Sequence, residues 1–307
     1  GNSHEVRLVL KDTQTQTNAL GNSFETQKLR TSDTPAESAI VDLNGDTFPD
    51  VVVSVLNVGE LRTFLNDGEG NFEESQPLKI DGGPDLIVPL RLRGENDASA
   101  LIVTHPNLRR VDVVIPDADA VDGSGFSLLE LVNSADLSAG GDLEEFVGLT
   151  FTPRGIVASD FNGDGIEDIA IAVERGLAGK GGAVVVYTGD DQGAFTHEQT
   201  LFIDDSLVDS VLGIAAGQFI NGTVDLVVTG FTNNTAVVLR NSGITAQDAN
   251  RFTVDPSLTS TPLTMNGTGA TSVQIADINE DGNGDIAIAN TLSGTVSLFE
   301  GNPDGSF

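Results

Sequence analysis

Apolar residues along this chain fall into short runs separated by Gly, Asn, Asp and Pro. VVVSVL at 51–56 and AVVVY at 183–187 are among the longest, and both have the length of a β-strand. They are rich in β-branched residues, which suit a pleated surface, so the runs predict strands. No window holds a sustained 3.6-residue apolar period. The best helix candidate, ADLSAGGDLEEFVG at 135–148, is broken by Gly140 and Gly141 and reads as an insertion. No run approaches the roughly 20 residues of a membrane-crossing helix. The pattern predicts an all-β chain without membrane insertion.

The strands recur in units. VDLNGDTFPDVVVSV (41–55), SDFNGDGIEDIAIAV (159–173) and ADINEDGNGDIAIAN (276–290) align residue for residue. Their leading aspartates, Asp42, Asp160 and Asp277, are 118 and 117 residues apart, each interval close to twice 59. A weaker copy is therefore expected in each gap. GQFINGTVDLVVTG (217–230) supplies one, with Asp225 in the position of Asp168. LRGENDASALIVTH (92–105) supplies the other, with Ala100 in that position. A second marker has the same period: a Gly/Asn/Asp-rich turn followed by Phe24, Phe72, Phe126, Phe195, Phe252 and Phe307.

Each unit reads as four strands; in the first complete one these are SAIVD, DVVVSVL, LRTFLN and FEESQPLKI. A lone four-stranded sheet cannot bury both faces, whereas packing such sheets one against the next does so and leaves short edges. The expected fold is a β-propeller of about five repeats. The expected repeats are 6–34 (partial), 35–80, 81–134, 149–205, 206–258 and 259–307, in one domain over 1–307. Either a closed five-blade ring or a fragment of a larger propeller accommodates them.

The three strong copies share Asp-x-Asn-x-Asp-x-x-x-Asp. The residues are Asp42, Asn44, Asp46, Asp50; Asp160, Asn162, Asp164, Asp168; and Asp277, Asn279, Asp281, Asp285. Alternate oxygen side chains in a tight loop point to one centre, and position 9 closes it from the next strand. A backbone carbonyl at position 7 (Phe48, Ile166, Asn283) is expected to add a ligand. Oxygen-only ligation with flexible geometry selects Ca²⁺ ahead of Mg²⁺, and three ions are expected. Gly165 and Gly282 at position 6 permit a left-handed turn; Thr47 in the first loop predicts a strained or different one. An EF-hand is excluded because its position-12 Glu is replaced by Val53, Ile171 and Ile288. The two weak copies are expected to be empty.

These motifs resemble the FG-GAP/VCBS repeats of integrin α-subunit propellers and of bacterial surface and secreted proteins. DFNGDGIEDIAIA and DINEDGNGDIAIA carry the resemblance most specifically. It implies Ca²⁺ held between the first and second strands of a blade by the residues named above.

Composition narrows the function. Against 46 Asp and Glu stand 15 Lys and Arg, a formal charge of −31, so nucleic acid and anionic lipid are repelled and cations attracted. Without cysteine there is no disulfide, thiolate site or thiol nucleophile. His4, His105 and His197 lack zinc-site spacing; His105 reads as a loop residue at a strand end, and His197 as facing solvent. GLAGKGG (176–182) lacks the spacing of a phosphate loop and reads as a hairpin turn. The expected function is non-enzymatic: a calcium-binding extracellular, secreted or surface-attached adhesion module. It would bind a protein or glycan ligand as part of a larger chain. The rivals are a carbohydrate-active lyase or hydrolase and a structural spacer. One Tyr and no Trp weigh against a sugar-processing pocket.

Overall fold

A computed structural model describes residues 5–12, 23–91, 99–117, 126–133, 150–176, 182–191, 193–219, 222–243, 251–255 and 262–307. The 135–148 insertion lies outside them, as does most of the 176–182 turn. The chain divides into two compact units, one of Gly1–Pro89, Asn96–Asn107 and Asp112–Leu129, the other of Leu90–Glu95, Leu108–Val111 and Glu130–Phe307.

In the first unit, β1 (Glu5–Asp12) and β2 (Ser23–Arg30) form an antiparallel pair. A sheet of β3 (Ser38–Val41), β4 (Asp50–Val55), β5 (Glu60–Asn66), β6 (Phe72–Glu74) and β7 (Leu78–Lys79) follows. Both β6 and β7 pair with β5, so the expected fourth strand is present but interrupted. The interruption falls at Gln76–Pro77, where proline has no N–H to give the ladder. The next sheet contains β8 (Ile87–Arg91), β9 (Ser99–His105), β10 (Arg110–Pro116) and β11 (Phe126–Asn133), its residues divided between the units.

The second unit holds three more antiparallel sheets. The first is β12 (Thr150–Ser159), β13 (Asp168–Gly176), β14 (Gly182–Gly189) and β15 (Phe195–Ile203). The second is β16 (Val211–Gly217), β17 (Asp225–Gly230), β18 (Thr235–Asn241) and β19 (Phe252–Val254), with β20 (Leu263–Thr264) also on β18. The third is β21 (Ala270–Ala276), β22 (Asp285–Asn290) and β23 (Thr295–Phe299). β13 and β14 flank the GLAGKGG segment as adjacent antiparallel strands.

Alternate side chains of one strand serve two cores. Leu226 and Val228 of β17, with Val237 and Leu239 of β18, pack with Ala170, Ala172, Val184 and Val186 of the preceding sheet. Val227, Ala236 and Val238 face the other way, onto Val273, Ile286 and Ile288 of the following sheet. Burial on both faces explains why these strands read as continuous apolar runs rather than alternations. β16 packs closely on β21: a Cβ on Gly213 would lie 2.3 Å from the Thr271 carbonyl oxygen. The fold is therefore all-β, of propeller type, built from repeated antiparallel sheets whose faces stack. Among the described residues no helix is long and apolar enough to cross a membrane.

Candidate metal centres

The three acidic loops join the first strand of a sheet to the second: β3 to β4, β12 to β13 and β21 to β22. Their internal hydrogen bonds repeat. Asp42 Oδ1 accepts from the Gly45 amide (2.9 Å) and Oδ2 from the Thr47 amide (2.8 Å). Asp160 does the same with Gly163 (2.7 Å) and Gly165 (2.8 Å). Asp277 accepts from the Asp281 (3.0 Å) and Gly282 (2.9 Å) amides. Asn44, Asn162 and Asn279 accept from the amide two residues on, and their Nδ2 donates to the same residue's carboxylate. Asp46, Asp164 and Asp281 accept from the position-7 amides of Phe48, Ile166 and Asn283, each at 2.8 Å.

Curling the chain this tightly requires left-handed backbone at positions 4 and 6. Gly45 and Thr47, Gly163 and Gly165, and Glu280 and Gly282 all have positive φ. Thr47, at φ 75°, adopts the same turn as its glycine counterparts, so the loop is strained rather than different.

Position 9 has a second task. Asp50, Asp168 and Asp285 are buried, and each carboxylate clamps two backbone segments. One oxygen accepts from the position-2 amide: Leu43 (3.0 Å), Phe161 (2.9 Å) or Ile278 (2.9 Å). The other accepts from an amide at the end of the third strand, Asn66 (2.9 Å) or Gly189 (3.0 Å), or two residues past it, Gly301 (2.8 Å). Burial raises Asp50 above the usual carboxylate range and Asp168 to about 6. The neighbouring charges of Asp46 and Asp42, and of Asp164 and Asp160, add to the push. In the third loop the Gly301 and Ile278 amides win, and Asp285 is held below its ordinary value.

Among the described residues, no group of three or more His, Cys, Asp or Glu side chains is arranged to hold a metal ion. The loop carboxylates are instead engaged by backbone amides. The donor set nonetheless fits a hard cation: carboxylate, amide and carbonyl oxygens in one turn, three times over. Each amide occupies one lone-pair direction of an oxygen with two. The repulsion felt by Asp50 and Asp168 is of the kind a bound cation relieves.

The weak copies differ from each other. Ala100 is fully buried in β9. Asp225 keeps the clamp, with Oδ1 accepting from the Asn241 amide (2.8 Å). Its Oδ2 accepts from Arg240 Nη1 (2.9 Å) where the other loops use a position-2 amide.

The two sequence markers meet in space. Phe161 at position 2 of the second strong loop packs edge-to-face on Phe252, the turn phenylalanine of the next sheet, with centroids 5.3 Å apart. Phe219 meets Phe307 in the same way at 5.0 Å, and Phe126 packs on the cluster containing Leu43. Asn241 Nδ2 and Arg251 Nη1 donate to the Phe161 carbonyl at 2.8 and 3.3 Å. The 160–168 loop and the ligand-free 217–225 copy are thus joints with the following sheet, and Leu43 of the first loop shares a cluster with Phe126. Period alone indicated a regular array, but not this contact.

A cleft of about 470 Å³ beside the third strong loop is lined by Phe219, Gly222, Ile275, Asp277, Asn283 and Pro303. His105 differs from expectation. It ends β9 fully buried, with Nε2 3.1 Å from Asp112 Oδ2, because the strand runs one residue further into the core. His197 is half-buried: a bulge in β15 turns it onto Tyr187, ring to ring at 5.6 Å.

Residues 152–187, which span the second strong loop, match the FG-GAP repeat family. The chain is a propeller-type protein that carries an FG-GAP repeat. In fold it is similar to the periplasmic gluconolactonase PpgL of Pseudomonas aeruginosa, with TM-score 0.57 and 15% identity over 92% of this chain and 71% of that one. A protein from Lactobacillus plantarum aligns with TM-score 0.53 and 12% identity over 97% and 69%. A functionally unknown protein from Desulfotomaculum acetoxidans aligns with TM-score 0.51 and 14% identity over 98% and 78%. At these identities the likeness is one of fold. No curated protein matches the chain in sequence.

Proposed function

We propose that the 42–50, 160–168 and 277–285 loops bind Ca²⁺, and that the chain is a non-enzymatic extracellular module presenting a protein- or glycan-binding surface. The supporting observation is one nine-residue loop, with the same position-6 amide to position-1 carboxylate hydrogen bond and the same paired left-handed residues, built into three separate sheets. Asp42, Asn44, Asp46 and Asp50, and their counterparts in the other loops, supply the side-chain oxygens; Phe48, Ile166 and Asn283 supply carbonyls. A bound divalent ion neutralises the clustered carboxylates and tightens the loop. In the 160–168 loop, stiffening would also hold the Phe161–Phe252 joint to the next sheet. Calorimetric titration of chelator-treated protein is expected to show three calcium ions and a clear rise in melting temperature. Neither heat nor a melting shift at low ionic strength would overturn the reading.

A second reading, a carbohydrate-active enzyme, draws on the fold likeness to a gluconolactonase. Proton release from gluconolactone separates the two: the binding-module reading expects the rate of buffer alone, and rapid saturable hydrolysis would replace it.

A further inference from the structure

The fourth copy has lost its ligands, with Gly217 and Phe219 at positions 1 and 3, yet keeps a buried carboxylate in Asp225. A buried carboxylate without a counter-charge is costly, so something must replace the cation. We infer that Arg240 is that replacement, an internal guanidinium doing for this sheet what a divalent ion does for the other three. The inference rests on the calcium reading of those three loops.

Arg240 reaches every part of the joint. Nη1 donates to Asp225 Oδ2 (2.9 Å), Nε donates to Asp255 Oδ2 (2.7 Å), and Nη2 donates to the Gly305 carbonyl. Its guanidinium carbon lies 5.3 Å from the Phe219 ring centroid and 5.8 Å from that of Phe307. One planar group therefore neutralises the position-9 carboxylate, ties down the ligand-free loop and fastens the turn of the following sheet. A guanidinium suits this better than an ammonium, because its donors fan out in one plane while its faces stack on rings.

Register supplies an independent argument. Arg240 immediately precedes Asn241, whose amide completes the Asp225 clamp. The residues that immediately precede the corresponding amides in the ligand-bearing sheets are Leu65, Thr188 and Glu300. None is basic. A cation stands at this position only where the loop cannot bind one.

The test is a double-variant cycle on the whole chain, melted in calcium and in chelator. Arg240→Met should lower the melting temperature by about 5 °C or more, equally in both buffers, with calcium stoichiometry still three. Adding Asp225→Asn should recover much of that loss, since the stranded charge is gone; Arg240→Lys should fall between wild type and Arg240→Met. A loss confined to one buffer, or no recovery in the double variant, would overturn the inference. Wild type that ignores calcium would sink the three metal loops instead, while leaving the charge-pair result readable on its own.

Discussion

Thr47 shows how much a single residue carries. It sits at φ 75°, where its β-branched side chain crowds the backbone and a glycine would not. Thr47→Gly is expected to stabilise the protein by about 1 kcal/mol, read from urea unfolding, although no contact is added. Gly165→Thr should cost a similar amount. Equal midpoints for wild type and Thr47→Gly would show the loop to be relaxed. The oxygen pattern of these loops is legible from spacing alone, and so is the glycine at position 6. The left-handed residue at position 4 is not, because Glu280 conceals it in the third loop. Nor is the clamp at position 9: an aspartate holding two amides and one serving a metal look the same in sequence. The persistence of Asp225 without its partners was the visible trace of that second task.

Among elements, interrupted β6–β7 depends on side chains as well as its ladder. Glu60 at the head of β5 is buried and accepts from Lys79 of β7, Arg62 and Ser32. Burial alone would raise Glu60, but these donors outweigh it and hold it at about 2. Because the folded value lies below the ordinary 4.5, this group contributes stability above pH 4.5 and loses it as pH falls toward about 2. Glu60→Gln should be less stable than wild type at neutral pH, with the gap closing across that window in acid titrations followed by circular dichroism. A constant gap would remove Glu60 from the acid response. Between sheets, Phe252→Ala should cost about 3–5 kcal/mol and weaken calcium at the 160–168 loop more than at 277–285. Equal weakening at both loops would refute the joint. Period made both markers legible. Their contact was not, because Phe161 and Phe252 are separated by most of two sheets in sequence.

For the whole molecule, electrostatics sets the conditions under which it stays folded. A charge of −31 spreads repulsion well beyond the loops, and salt screens it within about 10 Å at 0.1 M. Calcium-free protein should therefore melt higher as ionic strength rises, and the benefit of calcium should shrink in parallel.

Strand length, the repeated unit and the oxygen-rich loops were written in the chain, because each follows from local chemistry: which residues fit a pleat, which can turn, which can offer oxygen. Which side of each strand meets which neighbour was decided only on folding, because stacking sheets joins residues whose separation no local rule predicts. Asp168 is forced to share its oxygens between Phe161 and Gly189 amides, and Arg240 lands between two phenylalanines and two carboxylates. Those environments exist only once the sheets have packed and water has left.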